Sequence, residues 1–175
     1  MRKYYKAEMD RLLRVLTRVV WALLLLPPVA MGMIHWASEK SPGSDAAFPW
    51  VFTSVVLLSA AIACFTKKLA PRGFEVNDIE LVIDREMNPV SIPLSSVTEL
   101  RALDDAEVKG ALRLWGASGF YAHYGLFWTR KLGKFRLYSR RFTDLVLVRT
   151  EKTLYVLGPD SPAEFLADLR PLLRS

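Results

Sequence analysis

Two stretches near the N-terminus are almost free of charge, and they limit the folds open to this chain more than any other feature. The first, residues 19–37, reads VVWALLLLPPVAMGMIHWA, with His35 its single titratable side chain. At about 1.5 Å of rise per residue, a helix of this length approaches the ~30 Å hydrocarbon thickness of a bilayer. The second, residues 48–66, carries no charge at all. Trp21, Trp36, Trp50 and Phe65 fall near the ends of the two stretches, where interfacial aromatics belong. Pro27 and Pro28 would break a helix in water, but a neighbouring helix can satisfy the carbonyls they free inside a membrane. Pro49 falls in a first turn, where its missing N–H has no partner to lose. Ser54, Ser59, Ala60, Ala61 and Ala63 give the second stretch a small-residue face suited to close packing on the first. The polar link between the stretches is short, so the expected arrangement is a transmembrane helical hairpin.

A cleaved signal peptide fits poorly, because the first apolar run is too long, lacks a small-x-small cleavage site and is followed by a second span. A soluble protein of 175 residues has little chain with which to bury two such helices. Orientation follows from the cations. Arg2, Lys3, Lys6, Arg11, Arg14 and Arg18 precede the first span, Lys67, Lys68 and Arg72 follow the second, and the link holds only Lys40. Nine flanking charges against one put both termini in the cytoplasm and make this a multi-pass protein of the inner (cell) membrane. Residues 1–18 form a basic cytoplasmic segment. It reads either as an amphipathic lead-in lying on the leaflet or as a solvated extension of the first helix. The lone Cys64 is read as a small apolar helix residue, since it has no disulfide partner and no zinc-ligand spacing.

Beyond Pro71-Arg72-Gly73 the pattern changes to short β-like runs, and residues 73–175 are expected to form one cytoplasmic domain. Strands are expected at 79–83, 90–94 and 97–103, and more securely at 134–139, 145–150 and 153–157. The run LVLVRT at 145–150 is apolar enough to be central, and Glu151-Lys152 is read as a tight turn into an antiparallel return. Residues 104–113 are ambiguous. Residues 115–135, with glycines at 116, 119, 125 and 133, are read as a loop or twisted hairpin, because the Walker and Rossmann spacings are absent. A closing helix starts at Ser161, with Pro162 at N1 and Glu164 completing a capping box. Its stripe of Phe165, Leu166, Leu169, Leu172 and Leu173 should bury across the open end of the sheet.

Six or seven antiparallel strands followed by one amphipathic helix is the order of a pleckstrin-homology (PH) domain. The stretch from Gly125 to Leu169 resembles a bacterial PH domain of the membrane-tethered kind. The resemblance lies in Leu137-Tyr138-Ser139, the Val-Leu-Val strand from Leu145 to Arg149, Leu157-Gly158-Pro159-Asp160 and the helix from Pro162 to Leu169. It covers roughly residues 73–173 together with the preceding spans. It implies a PH-like barrel or sandwich closed by a C-terminal helix, and it assigns no functional residue.

Catalytic chemistry finds little support in the residues. His123 sits among aromatics, the acidic cluster Asp104, Asp105 and Glu107 lacks further metal ligands, and nothing marks a nucleophile turn. The expectation is a non-enzyme with no cofactor and no metal. The net charge of +6 suits an anionic membrane surface better than nucleic acid, given the spans in the same chain. The one candidate binding feature is basic and aromatic. Arg130, Lys131, Lys134, Arg136, Arg140 and Arg141, beside Trp128, are read as a hairpin facing anionic headgroups. The functional reading is a membrane-anchored binding or scaffold module that contacts anionic lipid, a protein partner or a second copy. The alternative is an accessory subunit of a transport or secretion complex that works through its hairpin.

Overall fold

In the computed structural model residues 2–37 and 47–173 are described. The link carrying Lys40 and Gly43, and the terminal Ser175, lie outside them.

Residues 3–6 lie inside the β domain rather than in a solvated segment. Lys3–Lys6 forms β1, which pairs antiparallel with β2, Pro71–Val76, placing Tyr5 opposite Phe74. Tyr5 is 4% exposed, meets Phe165 edge-on at 5.2 Å, and donates its hydroxyl proton to Asp168. Helix α1 then runs Arg11–Ala37, with Asp10 as its cap: Asp10 Oδ1 accepts from the Leu13 N–H at 2.7 Å. Neither reading of residues 1–18 therefore holds for the whole segment. The first helix does extend back to Arg11, but the residues before it are sheet, because Tyr5 gains a core only when β2 lies beside it.

Helix α2, Phe48–Leu69, packs beside α1. Only 6% of the most apolar eighteen-residue window of each helix is buried inside the protein, so neither is a core helix. Both are long and apolar enough to cross a membrane. Pro28 lacks an N–H, which frees the Leu24 carbonyl one turn earlier. Ser59 Oγ of α2 donates to that carbonyl at 3.4 Å. The small-residue face thus brings in a donor as well as allowing close approach.

Ala70 alone separates α2 from β2. β3 (Glu80–Arg85) and β4 (Val90–Pro93) complete a four-stranded sheet of order β1-β2-β3-β4. A six-stranded sheet follows. It is built from β5 (Val97–Ala102), β6 (Leu112–Phe120), β7 (Ala122–Thr129), β8 (Gly133–Ser139), β9 (Val146–Thr150) and β10 (Leu154–Leu157), in the order β5-β9-β10-β8-β7-β6. Ten strands among the described residues exceed the six or seven expected, and the two sheets do not close into a barrel. One pairing corrects the all-antiparallel expectation: β10 lies parallel to β8. β9 returns one strand-width away from β8, and the β9–β10 turn folds β10 back into the gap. β9 is paired on both sides, as its apolar run implied, but lies second in the order beside the edge strand β5 rather than at the centre. Val146 and Val148 face the inter-sheet core, while Leu147 joins a second cluster on the opposite face with Phe127, Phe135 and Val156.

Of the two readings of residues 115–135, the twisted hairpin holds, with β6, β7 and the start of β8 joined by turns at 121 and 130–132. β6 and β7 form a long hairpin in which Gly116 pairs with Gly125. Both have positive φ, and a Cβ on either would meet the partner backbone at 2.1–2.2 Å, so the close approach requires glycine twice. The ambiguous stretch contains a short helix, α3 (Asp105–Val108). The final helix, α4 (Pro162–Leu172), buries Phe165, Leu166 and Leu169 in the inter-sheet core. Ser161 is its N-cap residue, but no side-chain cap bond forms. The capping box occurs instead at α3, where Asp104 accepts from Ala106 N at 3.0 Å and Glu107 accepts from Asp104 N at 3.3 Å.

Candidate functional site

Helix α4 buries Phe165 in the inter-sheet core, its ring 6.0 Å from Phe74. A cavity of about 370 Å³ lies beside the last turn of α2. Its walls come from four directions: Leu69 from α2, Arg85 from the end of β3, Trp115 and Gly116 from β6, and Gly125, Leu126, Arg136 and Tyr138 from β7 and β8, with Tyr124 at its inner edge.

The register explains why these side chains converge. Across β7 and β8, Tyr124 faces Tyr138, Leu126 faces Arg136 and Trp128 faces Lys134, so all six side chains share one face. The first pair is buried under the four-stranded sheet, and the later pairs run out beyond its edge. Arg85 reaches across from the other sheet. Its guanidinium lies 5.3 Å from the Tyr138 ring centroid, one of its terminal nitrogens donates to the Asn88 carbonyl, and its Nε is buried with no partner among the described residues. Burial raises the Tyr124 phenol above its ordinary range, against smaller opposing effects of Thr66 and Arg85. No acidic side chain among the described residues lines the cavity. Such a pocket can accept an anion at its arginines and an apolar or planar group at Trp115 and Leu126.

The basic residues singled out in the sequence separate into three places. Arg130 and Lys131 sit exposed at the β7–β8 turn, about 30 Å along the ribbon from its α1 end at Tyr121 by strand rise. Lys134, Arg136 and Trp128 do come together on the exposed part of the cavity face. Arg140 and Arg141 are used internally. The Arg140 carbonyl accepts from Asp10 N at 3.2 Å, and burial lowers the pKa of its guanidinium. Arg141 donates to the Pro159 carbonyl and bonds Ser139 Oγ through its own N–H at 3.0 Å. One continuous basic hairpin surface is therefore not formed, because the chain turns inward after Ser139. Arg85 carries no sequence signal as a site residue, since only the stacking of the two sheets brings it to Tyr138.

The remaining candidates have structural roles. His123 is 1% exposed, with Nδ1 2.7 Å from Ser118 Oγ and its ring 4.0 Å from Phe142. Burial lowers its pKa to about 4. Glu107 takes a two-bonded contact from Arg101 at 2.7 and 2.8 Å, which holds its carboxyl below the usual range. At the α1 end of the domain, Trp21 Nε1 donates to the Tyr121 hydroxyl at 3.0 Å, and the Tyr121 N–H donates to Thr17 Oγ1 at 3.1 Å. The β6–β7 tip is thereby docked on α1.

The family described as Bacterial PH domain matches residues 72–173, which is more than half of the chain. No curated protein and no solved structure matches the chain. Strand β1 lies outside the matched range and is nonetheless hydrogen-bonded into the domain's first sheet. With two stacked sheets, a closing C-terminal helix and this match over both, the chain belongs to the bacterial PH domain family.

Proposed function

We propose that the chain is a membrane-anchored, non-catalytic PH module held against the cytoplasmic face of the cell membrane. One observation carries this reading: β1 precedes α1, β2 follows α2, and the two strands pair. A hairpin whose two ends are fastened to one sheet must return to the side it left. The N-terminus and the PH domain then share a compartment, and the excess of flanking cations supports the cytoplasm as that compartment. Binding is favoured over catalysis because, in the contact between the exposed Ser118 and His123, the imidazole is buried and its Nε2 has no partner among the described residues, so no base–acid relay is assembled. The open cavity offers arginines and aromatics, not a nucleophile with its base.

Alkaline carbonate extraction of native membranes, with reporter fusions at Gly43 and Ser175, tests this. The chain should stay in the pellet, with an exported reporter at Gly43 and a cytoplasmic one at Ser175. An exported C-terminus overturns the orientation, and release into the supernatant overturns the anchoring.

The apolar groove of about 780 Å³ between α1 and α2, lined by Trp21, Pro28, Gly32 and Phe52 among others, favours a second reading. In it the hairpin itself docks a membrane partner of a transport or secretion complex. Crosslinking in native membranes separates the two. Partners lost with Gly32→Leu belong to the hairpin, and partners lost with Arg136→Gln belong to the domain.

A further inference from the structure

We infer that the β6–β7 tip is a coupling element: its clasp on Thr17 and Trp21 ties the wall of the cavity beside α2 to the packing of α1 against α2. The coupling goes beyond both readings above and is the same whichever half of the molecule meets a partner.

Three features of the ribbon converge. The first is a shared side chain. Trp21 lines the groove between the two helices, and the same indole donates from Nε1 to the Tyr121 hydroxyl at 3.0 Å and meets Phe120 edge-on at 6.0 Å. The Tyr121 N–H donates to Thr17 Oγ1 at 3.1 Å, and Thr17 is buried. An indole displaced within the groove therefore pulls on the tip.

The second feature is a break in the ladder. β6 and β7 lose register between Ala117 and Phe120, which sets the tip off from the ribbon behind it. Gly119 in the break has a φ of +92°, and Tyr121 at the turn has a φ of +61°, a backbone conformation unfavourable for a bulky side chain. Ser118 Oγ lies 2.7 Å from His123 Nδ1 across the turn. The tip thus has one brace to its own ribbon and one clasp to α1, and the clasp holds a strained tyrosine. Opening the clasp relaxes that strain, which gives the tip a second, undocked state. The third feature is what lies behind the tip. Trp115 and Gly116 on β6, with Gly125 and Leu126 on β7, wall the cavity about 13–20 Å along the ribbon from Tyr121 by strand rise. The close approach of Gly116 and Gly125 binds the two strands into one unit there. Coupling of this kind is reciprocal, so a change in the groove alters the cavity wall and a change at the wall alters the groove.

Amide hydrogen exchange of the full chain in maltoside micelles, resolved by fragmentation mass spectrometry, tests the coupling. Ala60 lines the groove from α2, and its neighbour Ser59 reaches the Leu24 carbonyl, about one turn from Trp21. Ala60→Phe fills the groove at that level, whereas Leu57→Phe places a ring on the exposed side of α2 outside it. Ala60→Phe should accelerate exchange across residues 116–126 by about threefold or more and leave residues 133–157 unchanged, and Leu57→Phe should change neither. Trp21→Phe keeps a ring against Phe120 but removes the N–H. It should accelerate exchange at the tip by itself, and the Ala60→Phe effect should vanish in its background. Wild-type exchange in Ala60→Phe, or the same further acceleration in the Trp21→Phe background, overturns the proposal. Acceleration confined to residues 118–122 separates the cavity from the tip and overturns it as well. So does an equal effect of Leu57→Phe, or acceleration spread evenly over residues 133–157, since either reports a general loss of stability. No readout depends on the side of a membrane that the domain occupies, so failure of the topology proposed above leaves this test intact.

Discussion

Lowering the pH from 6.5 to 5 is expected to destabilise the β domain by about 2 kcal/mol through one residue, His123. Its ring is 1% exposed under Phe142, with Ser118 on Nδ1 and no partner for Nε2 among the described residues. Burial pushes its pKa from 6.5 down to about 4, with Asp10 a weaker opposing influence. The folded state keeps the imidazole neutral at pH values where the unfolded chain already binds a proton. The contribution is therefore fully present above pH 6.5 and shrinks as the pH falls toward 4, where the folded ring protonates as well. Each unit inside that window is worth about 1.4 kcal/mol, which over 1.5 units gives the figure above. For a chain of this size that is a fall of roughly 4–8 °C in melting temperature. The carboxyl groups of Glu99, Glu107 and Asp168 are held low by Arg149, Arg101 and Lys3 respectively. Their contributions are present above the ordinary carboxylate pKa and decline only below it, outside the chosen window. Thermal unfolding in detergent, followed by near-ultraviolet circular dichroism, gives the profile for the wild type and for His123→Gln, which keeps an amide for Ser118 but does not titrate. The wild type should lose stability from pH 6.5 to 5 and the variant should not. Parallel slopes in the two proteins would refute the buried neutral imidazole.

Other perturbations follow from single contacts. Tyr5→Ala removes a buried ring from against Phe165 and is expected to cost about 3–5 kcal/mol; an unchanged melting temperature would show that β1 is no part of the domain. Gly125→Ala places a methyl 2.2 Å from the Trp115 carbonyl oxygen at a φ of +120°, and should cost clearly more than Gly110→Ala, where the space is open. Ser59→Ala should weaken the hairpin by about 0.5–2 kcal/mol, and the loss should vanish in a Pro28→Ala background, where residue 28 regains its N–H for the Leu24 carbonyl. Thermal stability in micelles reads all three, and equal Ser59→Ala effects in both backgrounds would disprove the carbonyl assignment.

The elements visible in the sequence are those whose signal is long or uniform. The two apolar helices repeat one chemistry for about five turns, β9 is apolar on both faces, and the Phe165, Leu166, Leu169 stripe has an unambiguous helical period. β1 and β2 failed that test. Tyr5 and Phe74 are core residues only for each other and for Phe165, and the contact joins chain segments separated by the whole hairpin. Capping shows the limits of local motifs in another way. Ser161-Pro162-Ala163-Glu164 has the right letters but backbone angles that make no cap bond, while Asp104 and Glu107, read as a solvated acidic cluster, form the reciprocal box. The candidate site divides along the same line. Lys134, Arg136 and Trp128 could be named because alternation along one ribbon sets their common face. Arg85 could not, since its place beside Tyr138 depends on how two sheets stack.

In the proposed membrane-anchored arrangement, the bracket of β1 and β2 around the hairpin sets how the domain is held. A single residue, Ala70, joins α2 to the sheet, and Ala7 to Asp10 join the sheet to α1. Neither connection is a flexible tether, and both are bonded: Ala7 N to the Arg72 carbonyl at 2.9 Å, Asp10 N to the Arg140 carbonyl at 3.2 Å, and Met87 N to the Lys68 carbonyl at 3.0 Å. The β6–β7 tip adds the Tyr121 contacts to Thr17 and Trp21. A domain on a long linker samples many heights and orientations above a bilayer, so its surface charge acts as a diffuse attraction. A domain fixed at two helix ends presents one rim at one depth. Recognition then depends on which side chains occupy that rim. The rim beside the end of α2 carries Arg85, Arg136 and Trp115, whereas the cations Arg130 and Lys131 sit at the far turn of the ribbon.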